Sequence, residues 1–156
     1  MLQTRVATPD DAALIATHRK AMFAAMQSAD ETVLETMRLN SEPWTRRMML
    51  EDKYVGWIVS EDAKPVASAG LLILDWPPHL LDPAGERRGY LLNVFVEPDF
   101  RKRGLAHELV KLCLAEAARR GIVVVALHAS DAGRPIYERL GFHTTSEMLY
   151  AKPAEG

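Results

Sequence analysis

The sequence holds a single cysteine, Cys113, in 156 residues. No intramolecular disulfide is possible, and a zinc site built from several thiolates is excluded. No metal is expected. Long apolar runs are missing too: none approaches the ~18 residues that a membrane-spanning helix needs, so no membrane partner is expected. Neither sign of charge dominates. Lys and Arg number 19 against 21 Asp and Glu, a formal net charge of −2. That balance argues against nucleic acid as a partner. Met1-Leu2-Gln3-Thr4-Arg5 lacks a basic stretch running into an apolar block. With a lone thiol on the apolar side of a helix, this points to a reducing, cytoplasmic setting. Repeats, linkers and low-complexity segments are absent as well. What is present is ordinary globular material, 48% hydrophobic and 26% charged. Its length suits one domain over residues 1–156, and chains of this size bury roughly 68–70% of their unfolded surface.

In chain order, Gln3 to Ala7 reads as a first strand. Thr8-Pro9-Asp10-Asp11 reads as a helix start, with Leu14, Ile15, His18, Met22 and Met26 at helical spacing after it. His18 is expected to pack or to line a pocket. A second short helix begins near Asp30, and a third at Ser41-Glu42-Pro43. Met22, Met26, Met37, Met48 and Met49 make this region soft; they form an adaptable core or line an apolar acceptor pocket. Tyr54 to Ser60 and Pro65 to Leu74 read as a hairpin about Glu61–Lys64. Gly70 marks a bulge or a close backbone approach. Asp75 to Gly89 reads as a long loop, and loops of that length tend to be functional. Its Trp76 and His79 are candidate acceptor-binding residues.

The most informative stretch runs from Leu91 to Leu112. Leu91 to Val96 has the apolar, β-branched content of a buried strand, ended by Pro98. The basic turn Arg101-Lys102-Arg103-Gly104-Leu105-Ala106 then opens into an amphipathic helix that reaches Arg120 and is capped by Gly121. The first amides of a helix lack internal partners, and the helix dipole is positive there. This turn suits a pyrophosphate. Ile122 to Leu127 is a further apolar run, so strand, helix and strand form a right-handed βαβ unit with parallel strands. A short helix over Pro135–Leu140 and one or two strands within Phe142–Ala151 complete the chain.

Arg101-x-x-Gly104-x-Ala106, followed by Pro135-Ile136-Tyr137-Glu138-Arg139-Leu140-Gly141-Phe142, resembles the GNAT N-acetyltransferases. The resemblance implies an α/β fold: a central twisted mixed sheet of six or seven strands flanked by helices. Two parallel strands, Leu91–Val96 and Ile122–Leu127, would splay apart. It implies acetyl-CoA as co-substrate and a primary amine, on a small molecule, peptide or protein, as acceptor, with direct transfer in a ternary complex. Backbone groups of Val94, Phe95 and Val96 would meet the pantetheine. Arg101, Lys102, Arg103, Gly104, Leu105 and Ala106 would hold the phosphates, and Ser130 and Arg134 would touch the cofactor. Tyr137 takes the position of the general acid. Homodimers are common among such proteins.

The base is less clear in the residues themselves. Leu91-Leu92-Asn93-Val94-Phe95-Val96 carries no carboxylate, and Glu97 stands at its far end. Asn93 can orient a water or an acceptor but cannot accept a proton. His128, closing the next strand, has a suitable intrinsic pKa and is a candidate base. A water relay, or an amine already neutral, is the alternative. A competing reading is a regulatory module that binds acyl-CoA without catalysis.

Overall fold

The structure, a computed structural model, describes residues 1–26 and 29–155. Its frame is one open sheet of five strands in sequence order: β1 (Leu2–Val6), β2 (Tyr54–Glu61), β3 (Lys64–Asp75), β4 (Arg87–Val96) and β5 (Val125–Leu127). Neighbours pair antiparallel except β4 and β5, which are parallel. Four helices accompany it: α1 (Ala12–Met26), α2 (Glu31–Leu50), α3 (Leu105–Arg119) and α4 (Arg134–Arg139). The β4–α3–β5 crossover is the expected βαβ unit.

Each face of the sheet is selected by the alternation of its strands. On β2, Trp57 and Val59 point toward α3, where they meet Leu71, Leu91, Leu109, Val110 and Cys113 in one buried cluster. Burying each Leu or Val of this kind contributes roughly 1.5–3 kcal/mol. The α3 stripe includes Val110, whereas Leu112 is 37% exposed. On the opposite face Ile15, Ala16 and His18 of α1 are buried. None of the five methionines of α1 and α2 is fully buried; the apolar residues that these helices do bury are Ala12, Ile15, Ala16 and Leu34.

Three expectations are corrected. The helices expected near Asp30 and Ser41 are one helix of 20 residues, α2, with Pro43 inside it. Pro43 removes one amide and leaves the Leu39 carbonyl without its helical donor. Leu39 is 56% exposed, so water can serve that carbonyl, and the helix runs on. The long loop is also shorter, because Asp75 already pairs with Arg87; residues 76–86 connect the strands. The sheet has five strands among the described residues, not six or seven. The Phe142 amide is spent on the Tyr137 carbonyl, 3.0 Å away. Residues 143–155 then run exposed with no ladder. β5, the outer strand at that end of the sheet, is three residues long, too short to hold another strand firmly.

Candidate active site

Two irregularities in β4 create the site. The first is the limit of its pairing with β5, which holds Gly89 to Val125, Tyr90 to Ala126 and Leu91 to Leu127, and stops there. From Leu92 to Val96, β4 continues beside β3 alone, so its other edge is open backbone. The second is a bulge. Ser68 pairs with Phe95 and Gly70 with Leu92, which leaves Ala69 opposite both Asn93 and Val94. Asn93 takes a left-handed φ of 57°, a conformation that Asn tolerates better than most residues. The extra residue reverses the alternation. Leu91, Val94 and Val96 face the α3 core, whereas Asn93 and Phe95 face α1.

A buried polar network fixes the bulge. Asn93 Oδ1 accepts from Arg19 at 2.8 Å, and its amide nitrogen donates to the Tyr54 hydroxyl at 3.1 Å. Burial pushes the Tyr54 phenol well above its usual value, so it stays protonated. Gly70 is needed because a Cβ there would lie 2.1 Å from the Tyr54 oxygen. Beside this network the buried His18 ring places Nδ1 2.7 Å from the Ser68 hydroxyl and lies 4.7 Å from the Phe95 ring. Desolvation lowers its pKa to about 4, so His18 is neutral and packs, as expected. Arg19 and Tyr54 were not singled out in the sequence. Their partner Asn93 lies 74 and 39 residues away, beyond any local pattern.

The basic turn follows β4 directly. One 3-10 turn, Pro98–Phe100, leads to Lys102 at φ 63° and Gly104 at φ 80°, and Gly104 caps α3. Nothing lies within 4 Å of the Cβ that Gly104 lacks. The glycine therefore serves the backbone conformation and leaves open space in front of it. The first intrahelical bond comes from the Glu108 amide to the Gly104 carbonyl, 3.1 Å. The amides before it, those of Leu105 and Ala106 included, have no helical acceptor. Arg101, Lys102 and Arg103 are exposed. Arg101 Nε donates to the Val96 carbonyl at 3.0 Å, and Arg103 stacks over Phe100 at 4.8 Å. Both side chains thus brace the turn.

Tyr137 lies on α4. Its ring packs edge-on to Phe142 at 5.9 Å, and burial raises the pKa of its phenol. Val94, Val96, Leu105, Leu127 and Tyr137 all pack against the same core cluster. The parted ends of β4 and β5, the head of α3 and Tyr137 therefore share one core. Cys113 is fully buried in it, with its thiol pushed up to about 12 by desolvation, so it is inert.

Other candidates are less centrally placed. Ser130 Oγ accepts from the Gly133 amide at 3.1 Å, and Arg134 donates to Thr144 Oγ1 at 2.9 Å, so both brace α4. His128 is exposed past the end of β5, and Glu97 is half-buried where β4 ends. Trp76 and His79 lie on the 76–86 connection, at the other end of β4 from the turn. Trp76 stacks on Arg88 at 4.3 Å, and the exposed His79 accepts from the Leu81 amide at 3.1 Å. Among the described residues no group of three or more His, Cys, Asp or Glu could hold a metal, and no helix is long and apolar enough to cross a membrane.

Comparison with known proteins gives concordant results. The family model described as the acetyltransferase (GNAT) family matches residues 19–142. The chain is 27% identical over 112 residues to the ribosomal protein bS18-alanine N-acetyltransferase of Escherichia coli, 68% of each chain. It is 25% identical over 131 residues to human N-acetyltransferase 8, covering 82% of this chain and 56% of that one. It thus spans about half the length of the human relative. The crystal structure of a GCN5-related N-acetyltransferase from Ralstonia eutropha superposes with a TM-score of 0.91 at 36% identity, over 100% of both chains. A predicted acetyltransferase from Clostridium acetobutylicum, solved with acetyl-CoA, superposes with a TM-score of 0.86 at 27% identity, over 97% of this chain and 96% of that one.

Proposed function

The chain belongs to the GNAT family of acetyltransferases, and on that premise we propose that it transfers the acetyl group of acetyl-CoA directly to a primary amine. The observation that carries the reading is the unpaired edge of β4 that leads into the head of α3. An open β4 edge, unpaired helix amides before an unfilled space at Gly104, and a protonated tyrosine converge on one core. These residues fit acetyl-CoA. The amides from Arg103 to Ala106 hold the pyrophosphate, supported by the dipole of α3. Backbone groups of Val94 to Val96 align the pantetheine and polarise the thioester carbonyl.

The amine nitrogen attacks the thioester carbon, and the carbon–sulfur bond breaks. Tyr137 gives its proton to the departing thiolate and regains one from solvent. Burial keeps that phenol protonated at neutral pH. The amine must shed its own proton, and no side chain of β4 from Leu91 to Val96 can take it. Asn93 already serves Arg19 and Tyr54. The proton therefore leaves to water, or the amine arrives neutral, with His128 and Glu97 as peripheral acceptors. The E. coli relative acts, by its name, on an alanine of a ribosomal protein; an N-terminal amine is one acceptor class to include in a test.

The experiment is an acetyl-CoA titration followed by an amine panel, reading free CoA thiol. Saturable binding with amine-dependent CoA release supports the transferase. Saturable binding without release for any amine would instead indicate a regulatory acyl-CoA-binding module.

A further inference from the structure

Arg88 Nε is the one buried side-chain nitrogen or oxygen without a hydrogen-bond partner among the described residues. Such an atom calls for an explanation, because a buried unpaired donor costs about 1–3 kcal/mol, more when charged. Its guanidinium lies over the Trp76 ring at 4.3 Å and has no carboxylate against it. Arg19 is in a similar position. It is half-buried, stacks over Phe23 at 4.9 Å and donates to Asn93, again with no carboxylate partner among the described residues. Elsewhere this chain does supply one: Arg38 has Glu35, and Arg120 has Asp52 and Glu116.

Both unpaired cations belong to one face. Arg88 and Tyr90 are two positions apart on β4, before the bulge, so they project to the side opposite Leu91. That is the α1 side, from which Arg19 reaches Asn93. The Tyr90 hydroxyl lies within electrostatic reach of Arg19 and Arg88 together. Glu147 also acts on Tyr90, but it stands exposed on the C-terminal segment and forms no salt bridge with either cation among the described residues.

We propose that Arg88, Tyr90 and Arg19 form an anion-binding subsite for the acceptor. The acceptor is then an amine carrying a carboxylate or phosphate. Tyr90 and Val94 are three to four strand positions apart, on the order of 10–13 Å. The anion and the reacting nitrogen are separated by about that length, so an α-amino acid is too short and a small peptide or ω-amino acid is long enough. The cations provide charge-assisted hydrogen bonds to the anion, and the Tyr90 hydroxyl donates a third. Glu147, which acts on Tyr90, adds a negative charge that opposes an anion there. The spacing rests on acetyl delivery at Val94 to Val96, as proposed above.

The test uses ω-amino acids of increasing chain length, each against its own amide, with acetyl-CoA and the intact protein. ω-Aminoalkyl phosphates against ω-amino alcohols form a second arm, which separates a carboxylate site from a phosphate site. We expect kcat/KM to favour the anionic member by about tenfold or more once the chain spans the gap. Arg88→Gln should erase that ratio through KM, Arg88→Lys should keep part of it, and Glu147→Gln should enlarge it. Equal use of both members at every length, or a ratio unchanged in Arg88→Gln, overturns the proposal. If no amine is acetylated, the same pairs are compared by thermal shift with CoA present. A larger shift from the anionic member, lost in Arg88→Gln, keeps the subsite while the transferase reading falls. Equal shifts sink the subsite itself.

Discussion

Tyr137 can lose its hydroxyl without losing its place. Its ring is held by the core and by the edge contact with Phe142, and both contacts survive in phenylalanine. Tyr137→Phe should therefore lower kcat by about 10²–10⁴ and leave the acetyl-CoA dissociation constant nearly unchanged. An unaltered kcat removes the residue from the mechanism. His18 offers a different residue-level test. Its pKa falls from 6.5 to about 4 in the folded chain, because burial disfavours the charged ring. Between those values the unfolded chain binds the extra proton, so stability rises with pH through this window and is level above it. Denaturant unfolding at pH 4.5 and 7.5 should show this loss, up to about 3 kcal/mol, and His18→Gln should flatten it. An identical pH dependence in the variant would mean that other groups carry the acid limb.

Among the elements, α3 carries the clearest expectation. Gly104 has φ 80° and open space before it, so an added Cβ meets no protein atom within 4 Å beyond its chain neighbours. Gly104→Val should cost stability only through backbone strain, about 1–2 kcal/mol. Its main effect should be on acetyl-CoA, with affinity falling at least about tenfold where the branched side chain fills the phosphate space. Calorimetry on the folded variant reads this, and undiminished affinity would displace the phosphate turn from α3. This element was legible in the sequence because its signals are local: a basic turn, a glycine and a helical stripe within some twenty residues. The β4 bulge was not. Asn93 sits in an apolar run that reads the same with or without an extra residue, and its partners Arg19 and Tyr54 come from distant elements. Pro43 misled in the opposite way. As a local signal Ser41-Glu42-Pro43 starts a new helix, but an exposed turn that water can serve lets α2 run through it. One or two strands were expected within Phe142–Ala151, but a strand also requires an edge to pair with.

At the scale of the molecule that unpaired segment matters. Met148, Leu149 and Tyr150 are 94%, 83% and 86% exposed, three consecutive apolar side chains in water. Such a run is a liability unless something covers it. The expected homodimer would do so, and sedimentation equilibrium should then return twice the mass of 17.4 kDa, reduced by Leu149→Asp. The mass of a single chain at every concentration would rule the dimer out. The α/β frame and the parallel β4–β5 pair set the basic turn and Tyr137, at opposite ends of a 37-residue stretch, Arg101 to Tyr137, against one core. That convergence is the basis for reading direct transfer. The measurement that tests it most directly is intact-mass analysis of both protein and amine after incubation with acetyl-CoA. Direct transfer predicts acetylated amine, free CoA and unmodified protein, with Cys113 unlabelled at every time point. Acetyl accumulating on the protein, or an amine left unchanged while acetyl-CoA is bound, would contradict it.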